Sequence, residues 1–192
     1  MAVQSMERSV QRDLVEAAQR GDHEAFEVLA IGSADRLFAI ARLILRDVDL
    51  AQDAVQEALI RSWRGLPSLR DPERFDAWLH RLLVNCCTDQ ARTRQRLAAN
   101  VRVIDDRLPD PDGSGLAADR DQLERGFRRL RIEQRTLVVM RYYLGLSLPE
   151  LADTLSLPMG TVKSRLHYAM ETLRAALEAD LRPGPSATEK TA

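Results

Sequence analysis

The chain is poor in the residue types on which many chemistries depend. It has two cysteines, and they are neighbours, Cys86 and Cys87. Adjacent cysteines bridge each other only with strain. No CxxC pair or His/Cys cluster accompanies them, which excludes a disulfide framework and a zinc site as expectations. They read as two small apolar residues on the buried side of a helix. The three histidines, His23, His80 and His167, lie in separate segments with no nucleophile or metal spacing around them. That argues against an enzyme and leaves no cofactor or metal to expect. No stretch approaches the roughly 20 apolar residues of a membrane span. No N-terminal stretch joins a basic start to an apolar run and a cleavage site. A soluble, cytoplasmic protein without membrane insertion is expected. Neither sign of charge is in excess, the net charge being -1. Any nucleic-acid binding must therefore come from local patches.

What is present points to helices. Hydrophobic residues make up 45% of the 192 residues, charged ones 30% and aromatics 5%. Leu, Arg and Ala dominate, and no strand-like alternation or internal repeat is visible. Residues 1 to 8 read as a frayed end. A first helix starts at Ser9 on Val10, Leu14, Val15 and Ala18, and Gly21 can stop it. Asp22 can cap a long second helix carrying Phe26, Leu29, Ala30, Leu37, Ile40, Ala41, Ile44 and Leu45, with Gly32 as the place where it could break. "RDVDLAQDAVQEALIRSWRG" is a third helix, capped by Asp47 or Asp49 and ended by Gly65. "LPSLR" is a loop. Asp71 before Pro72 starts a fourth helix with Phe75, Trp78, Leu79, Leu82, Leu83 and Cys86 on its apolar side.

Composition changes at about residue 97. "NVRVIDDRLPDPDGSGLAADRD" is acidic, rich in Pro and Gly, and aperiodic. It reads as a linker. Helical pattern resumes over 119–180, before the polar, disordered tail of 181–192. The expected fold is all-α: a module at 9–97, a flexible acidic linker at 98–118, and a module at 119–180.

The C-terminal module carries a sharp pattern, "SLPELADTLSLPMGTVKSRLHYAM". Ser147 and Glu150 make an S-x-x-E capping box. Leu148, Leu151, Ala152 and Leu155 follow on one face. "SLPMG" breaks the run, and Pro158 suits the first turn of a new helix. Val162, Leu166, Ala169, Met170 and Leu173 resume the stripe. Two short helices with a tight turn are the helix-turn-helix layout, whose second helix enters the major groove. If Val162 and Leu166 face inward, Lys163, Ser164 and His167 project outward, with Thr161, Arg165 and Tyr168 beside them. These are donors suited to phosphates and base edges. The run from Arg125 to Arg141 holds six arginines and one acid, Glu133. It reads as solvated surface or as a contact to phosphate or protein.

The N-terminal module divides its charge. The third helix starts acidic, with Asp47, Asp49, Asp53 and Glu57, and ends basic and aromatic, with Arg61, Trp63 and Arg64. Arg70 follows in the loop, and the fourth helix adds Arg74, Trp78, His80, Arg81, Arg92, Arg94 and Arg96. Arginines beside aromatics suit unstacked single-stranded bases. The acidic end suits a basic protein surface, or simply the helix dipole. Core packing is the competing reading of both tryptophans.

"DLAQDAVQEALIRSWRGLPSLRDPERFDAWLHRLLVNCCTDQARTR" resembles region 2 of bacterial extracytoplasmic-function sigma factors, and "LRIEQRTLVVMRYYLGLSLPELADTLSLPMGTVKSRLHYAMETLRAAL" resembles their region 4. The likeness runs over about residues 10–97 and 119–179. It implies a region 2 helical bundle and a region 4 helix-turn-helix in a promoter-specificity subunit of RNA polymerase. It implies core-polymerase contacts at Asp47, Asp49, Asp53, Gln56 and Glu57, on the clamp helices of the largest subunit, with region 4 against the flap of the second-largest. It implies −10 melting and base capture by Arg61, Trp63, Arg64, Ser68, Arg70, Arg81, Asn85, Asp89 and Arg92. The −35 element falls to Thr161, Lys163, Ser164, Arg165, His167 and Tyr168. Promoter DNA and an anti-sigma factor are the further partners implied. The chain departs from the family's pattern at "AIGSADRLFAIA", where aromatics are common, and at "VNCCTDQ", where cysteines are not and where a redox role stays open. The competing reading is a stand-alone dimeric helix-turn-helix regulator, which leaves the acidic helix without a purpose.

Overall fold

The computed structural model describes residues 2–100 and 125–181. Among them every regular element is helical. The expected linker from 101 onward, the start of the second module and the expected tail from 182 lie outside the described residues. The chain divides into two compact units, Met1–Leu108 and Pro109–Ala192.

The first unit holds α1 (Ala2–Gln19), α2 (His23–Leu45), α3 (Val48–Gly65) and α4 (Phe75–Asn100). α1 begins at Ala2 rather than Ser9, since no Gly or Pro interrupts the chain before Gln19. Gly21 ends that segment at φ +97°, a left-handed conformation that costs glycine nothing. Asp22 then caps α2, accepting from the Glu24 and Ala25 N–H groups at 3.0 and 3.1 Å. The expected break at Gly32 does not occur. α2 runs on because Leu29, Leu37, Ile40 and Ile44 bury one continuous stripe on both sides of it. The alternatives for the α3 cap resolve to Asp47, which accepts from Leu50 N–H at 3.0 Å.

α3 packs against both α2 and α4. Its inward side is small: Ala51, Ala54, Ala58 and Ser62 are all buried. Alanines at helical spacing let the helix axes approach closely. "LPSLR" is not an open loop. Leu66–Ser68 forms a 3-10 turn with Leu66 fully buried, because an apolar side chain there drops into the bundle. Pro72–Arg74 is a second 3-10 turn, capped by Asp71, ahead of α4. α4 supplies Phe75, Leu79, Leu83, Val84, Cys86 and Cys87 to the core. It extends to Asn100, past the expected end of the module at 97.

The second unit is described from residue 125, in helical conformation to 129. α5 (Ile132–Val138) follows and passes into one π-helical turn, Val139–Tyr143. α6 (Leu148–Leu155) and α7 (Met159–Leu181) complete it. Leu130, Val138, Ala169 and Leu173 form its core with Phe127, Leu166 and Met170 against them.

Candidate nucleic-acid interface

α6 starts as its sequence requires. Ser147 N–H and Oγ both donate to Glu150 Oε2, at 2.7 and 2.6 Å, and Glu150 N–H returns to Ser147 Oγ at 3.4 Å. The helix stops at Ser156, whose φ of 52° is left-handed. Leu157 N–H reaches back to the Ala152 carbonyl at 3.0 Å. Pro158 sits one position earlier than expected. Its carbonyl accepts from Thr161 and Val162 N–H groups, so it closes the turn from outside α7. The result is a helix-turn-helix with Leu151 and Val162 both fully buried.

That burial sets the outward face of α7. Val162, Ala169, Leu173 and Ala176 point inward. Lys163, Ser164, Arg165, His167 and Tyr168 are exposed, and Thr161 is half-buried. Ser164 Oγ donates to the Thr161 carbonyl at 3.1 Å, so in this state its hydroxyl hydrogen serves the helix and its lone pairs face out. The His167 and Tyr168 rings lie 5.8 Å apart, at the edge of the same face. One surface thus offers two cationic donors, hydroxyls and aromatic rims, a mix of groups suited to a major groove. Of the arginine run, Arg125, Arg128, Arg129 and Arg131 are exposed. Arg141 has a structural duty, donating to the Leu146 carbonyl at 2.7 Å.

In the first unit, Arg81, Asn85, Asp89 and Arg92 recur at three- and four-residue spacing along α4, so they share one side. All four are exposed. Arg61 reaches that row from α3. Its Nη1 lies 3.3 Å from Asp89 Oδ2, while its Nε donates to Glu57 Oε1 at 2.7 Å. The Glu57 hydrogen bond is the largest cause raising the Arg61 pKa above its usual value. Trp63, two residues on, faces the other side of α3. Its ring stands 4.5 Å from His23 and 4.9 Å from Phe26, half-buried against α2. The structure does not bring it to the Arg61–Asp89 row. Arg94 likewise leaves that row and binds Asp47 Oδ2 through Nη1 at 2.6 Å.

The turn after α3 is held from several directions. Ser68 Oγ donates to the Gly65 carbonyl at 2.6 Å. Trp78 packs so closely behind Gly65 that a methyl group there would lie 3.3 Å from Cζ2. Gln19 was not among the expected site residues. Its Nε2 donates to the Leu66 and Leu69 carbonyls at 3.1 and 2.7 Å and pins the turn to α1. No sequence signal marks it, because the bonds span 47 and 50 residues. Arg64, Ser68 and Arg70 stay exposed around the turn. Asp49, Asp53 and Gln56 are exposed on α3, and Asp47 and Glu57 are partly so.

The cysteines sit beneath this surface. Both are free and buried. Burial raises both thiols above the usual value, Cys87 to about 12, which keeps them protonated and poorly nucleophilic. Among the described residues no group of His, Cys, Asp and Glu is placed to hold a metal.

Comparison with known proteins agrees with both halves. The family model for Sigma-70 region 2 matches residues 33–97, and that for Sigma-70, region 4 matches residues 120–173. RNA polymerase sigma-H factor of Pseudomonas aeruginosa is 30% identical over 89% of this chain and 95% of its own. ECF RNA polymerase sigma factor SigM of Mycobacterium tuberculosis is 34% identical over 86% of this chain and 83% of its own. Among solved structures, sigma factor RpoE of Bartonella quintana, in complex with the anti-sigma factor NepR, superposes with a TM-score of 0.66 at 26% identity, covering 81% of this chain and 98% of that one. The chain belongs to the sigma-70 family, as a sigma factor of the extracytoplasmic-function type. Its function is that of an alternative sigma factor and not of a stand-alone regulator.

Proposed function

We propose that the chain guides RNA polymerase through two separate grips on promoter DNA, and has no catalysis of its own. The observation that carries this reading is the pairing, in one chain, of an outward donor face on α7 with a row of polar and basic residues on α4. Thr161, Lys163, Ser164, Arg165, His167 and Tyr168 read the −35 duplex. Arg81, Asn85 and Arg92, with Arg61 and the turn residues Arg64, Ser68 and Arg70, hold the opened −10 strand. Asp47, Asp49, Asp53, Gln56 and Glu57 dock on the clamp helices of the largest subunit, and the C-terminal unit meets the flap of the second-largest. The burial of Trp63 against His23 and Phe26 favours a packing role for it, behind the strand rather than against it.

The energetics suit a divided reader. Flipping a base out of a stack costs a few kcal/mol, offset by edge and stacking contacts. Two modest grips gain through effective concentration once polymerase holds both on one promoter. Work in the cytoplasm and restraint by an anti-sigma factor belong to the same reading. The absence of a membrane-spanning helix among the described residues is compatible with the first, and the relative solved with an anti-sigma factor supports the second.

Run-off transcription with core polymerase on a promoter library tests the proposal. Specific initiation is expected. Lys163→Ala should reduce dependence on the −35 sequence. Asn85→Ala should slow strand opening, followed by permanganate reactivity, more than initial closed binding. A folded chain that directs no specific initiation would overturn the reading.

A further inference from the structure

Glu57 has two competing partners in prospect. It lies on the acidic helix assigned to polymerase, yet in the free chain it is the nearer anchor of Arg61, at 2.7 Å against 3.3 Å for Asp89. Arg61 in turn reaches from α3 to Asp89, in the row of Arg81, Asn85, Asp89 and Arg92. The bridge therefore runs from the polymerase side of the hairpin to its DNA side. It lies open to competitors, since the Arg61, Glu57 and Asp89 side chains are 40%, 41% and 57% exposed.

We propose that this bridge couples the two binding events: Glu57 restrains Arg61 in the free chain, and a basic group of polymerase that engages Glu57 releases Arg61 to the phosphates of single-stranded DNA. The inference rests on the proposed function, in that it takes α3 as polymerase-facing and the α4 row as DNA-facing. A guanidinium already paired with a carboxylate presents little net charge to a phosphate, and the carboxylate itself repels the incoming anion. With Glu57 engaged elsewhere, the triad of one guanidinium and two carboxylates loses one negative charge. Asp89, the longer contact at 3.3 Å, then holds the guanidinium over the row loosely enough to share it with a phosphate, as a positioning residue. Partly exposed i,i+4 pairs of this kind are worth about twofold in an equilibrium constant. The device is graded, not all-or-none. Because coupling between two ligands is reciprocal, single-stranded DNA should tighten polymerase binding by the same factor.

The test is fluorescence anisotropy of a labelled, mixed-sequence single-stranded DNA with the full chain, alone and with saturating core polymerase. Glu57→Gln keeps the shape and removes the charge. Asp53→Asn removes an equal charge from the same helix, outside the bridge, and measures the general effect of charge. Without polymerase, Glu57→Gln should tighten binding about twofold beyond Asp53→Asn. In an Arg61→Ala background that excess should vanish. With polymerase saturating, Glu57→Gln should give no excess, while Arg61→Ala should still weaken binding. An excess that survives in the Arg61→Ala background, or none at all in the free chain, overturns the coupling and leaves the proposed function standing. If Arg61→Ala has no effect on DNA binding by the polymerase-bound chain, the DNA-facing role of Arg61 is wrong, and the coupling falls with it. Circular dichroism of each variant establishes that the helices are intact.

Discussion

His80 is 9% exposed on α4, beside a groove of about 550 Å³ between α1, α2 and α4. Burial is the main reason its pKa falls to about 4, and Arg36 of α2 pushes the same way against the opposing pull of Asp76. The native imidazole is therefore neutral where an unfolded one, with a pKa near 6.5, takes up a proton. Below that value the unfolded state binds more protons than the native state, so stability falls as the pH drops from about 6.5 to about 4 and then levels off in this respect. The loss from this residue is at most about 3 kcal/mol. Trp63 and Trp78 both lie in the N-terminal unit, so tryptophan fluorescence in urea reports on it alone. The expected result is a shallower pH dependence between 6.5 and 4 for His80→Gln than for the wild type. Parallel curves would mean that His80 titrates normally. None of this could be read from the sequence, where His80 was one of the basic and aromatic residues of the fourth helix. Its environment comes from Arg36, 44 positions away.

At the scale of elements, most ends were legible because helix ends are written locally. Asp22, Asp47, Asp71 and the Ser147–Glu150 box all act where their residue types indicate. The misjudged places were those where packing prevails over local preference. Gly32 costs α2 about 1 kcal/mol of helix propensity, and the buried stripe around it outweighs that. Leu66 turns an apparent loop into a buried 3-10 turn for a similar reason. The turn of the helix-turn-helix holds a remaining strain. Ser156 is left-handed at φ 52°, a conformation that costs a non-glycine residue about 1 kcal/mol. Ser156→Gly should stabilise the C-terminal unit by about 0.5 kcal/mol, the greater freedom of glycine in the unfolded chain offsetting part of the gain. All three tyrosines, Tyr142, Tyr143 and Tyr168, lie in that unit, so tyrosine fluorescence in a denaturant titration follows it. A lowered midpoint would show that the serine makes a contact worth more than the strain.

For the whole molecule, the order of the modules matters more than either module. A helix-turn-helix alone is compatible with a dimeric repressor, which protects a symmetric operator. The same motif following an acidic-then-basic hairpin in one chain calls for two unlike contacts with DNA. Footprinting of the polymerase-bound chain should show two separate, dissimilar protected segments, with enhanced reactivity in the downstream one where strands part. A single palindromic footprint from the chain alone would contradict this.

The helical class, most helix starts and the outward face of α7 were legible in the sequence, because each depends on spacing within one segment; the family followed from the resemblance of two segments taken in order. Only the tertiary structure decided which side chains meet across helices. The Arg61–Asp89 contact, the Gln19 clamp on the turn, the seat of Trp63 against His23 and Phe26, and the buried setting of His80 all join residues distant in sequence, whereas the Glu57–Arg61 pair lies within α3 at i,i+4 spacing. Periodicity shows which side of a helix is buried, but not which neighbour that side meets or at what register. For side-chain donors and charges, those two quantities set every distance on which the chemistry depends.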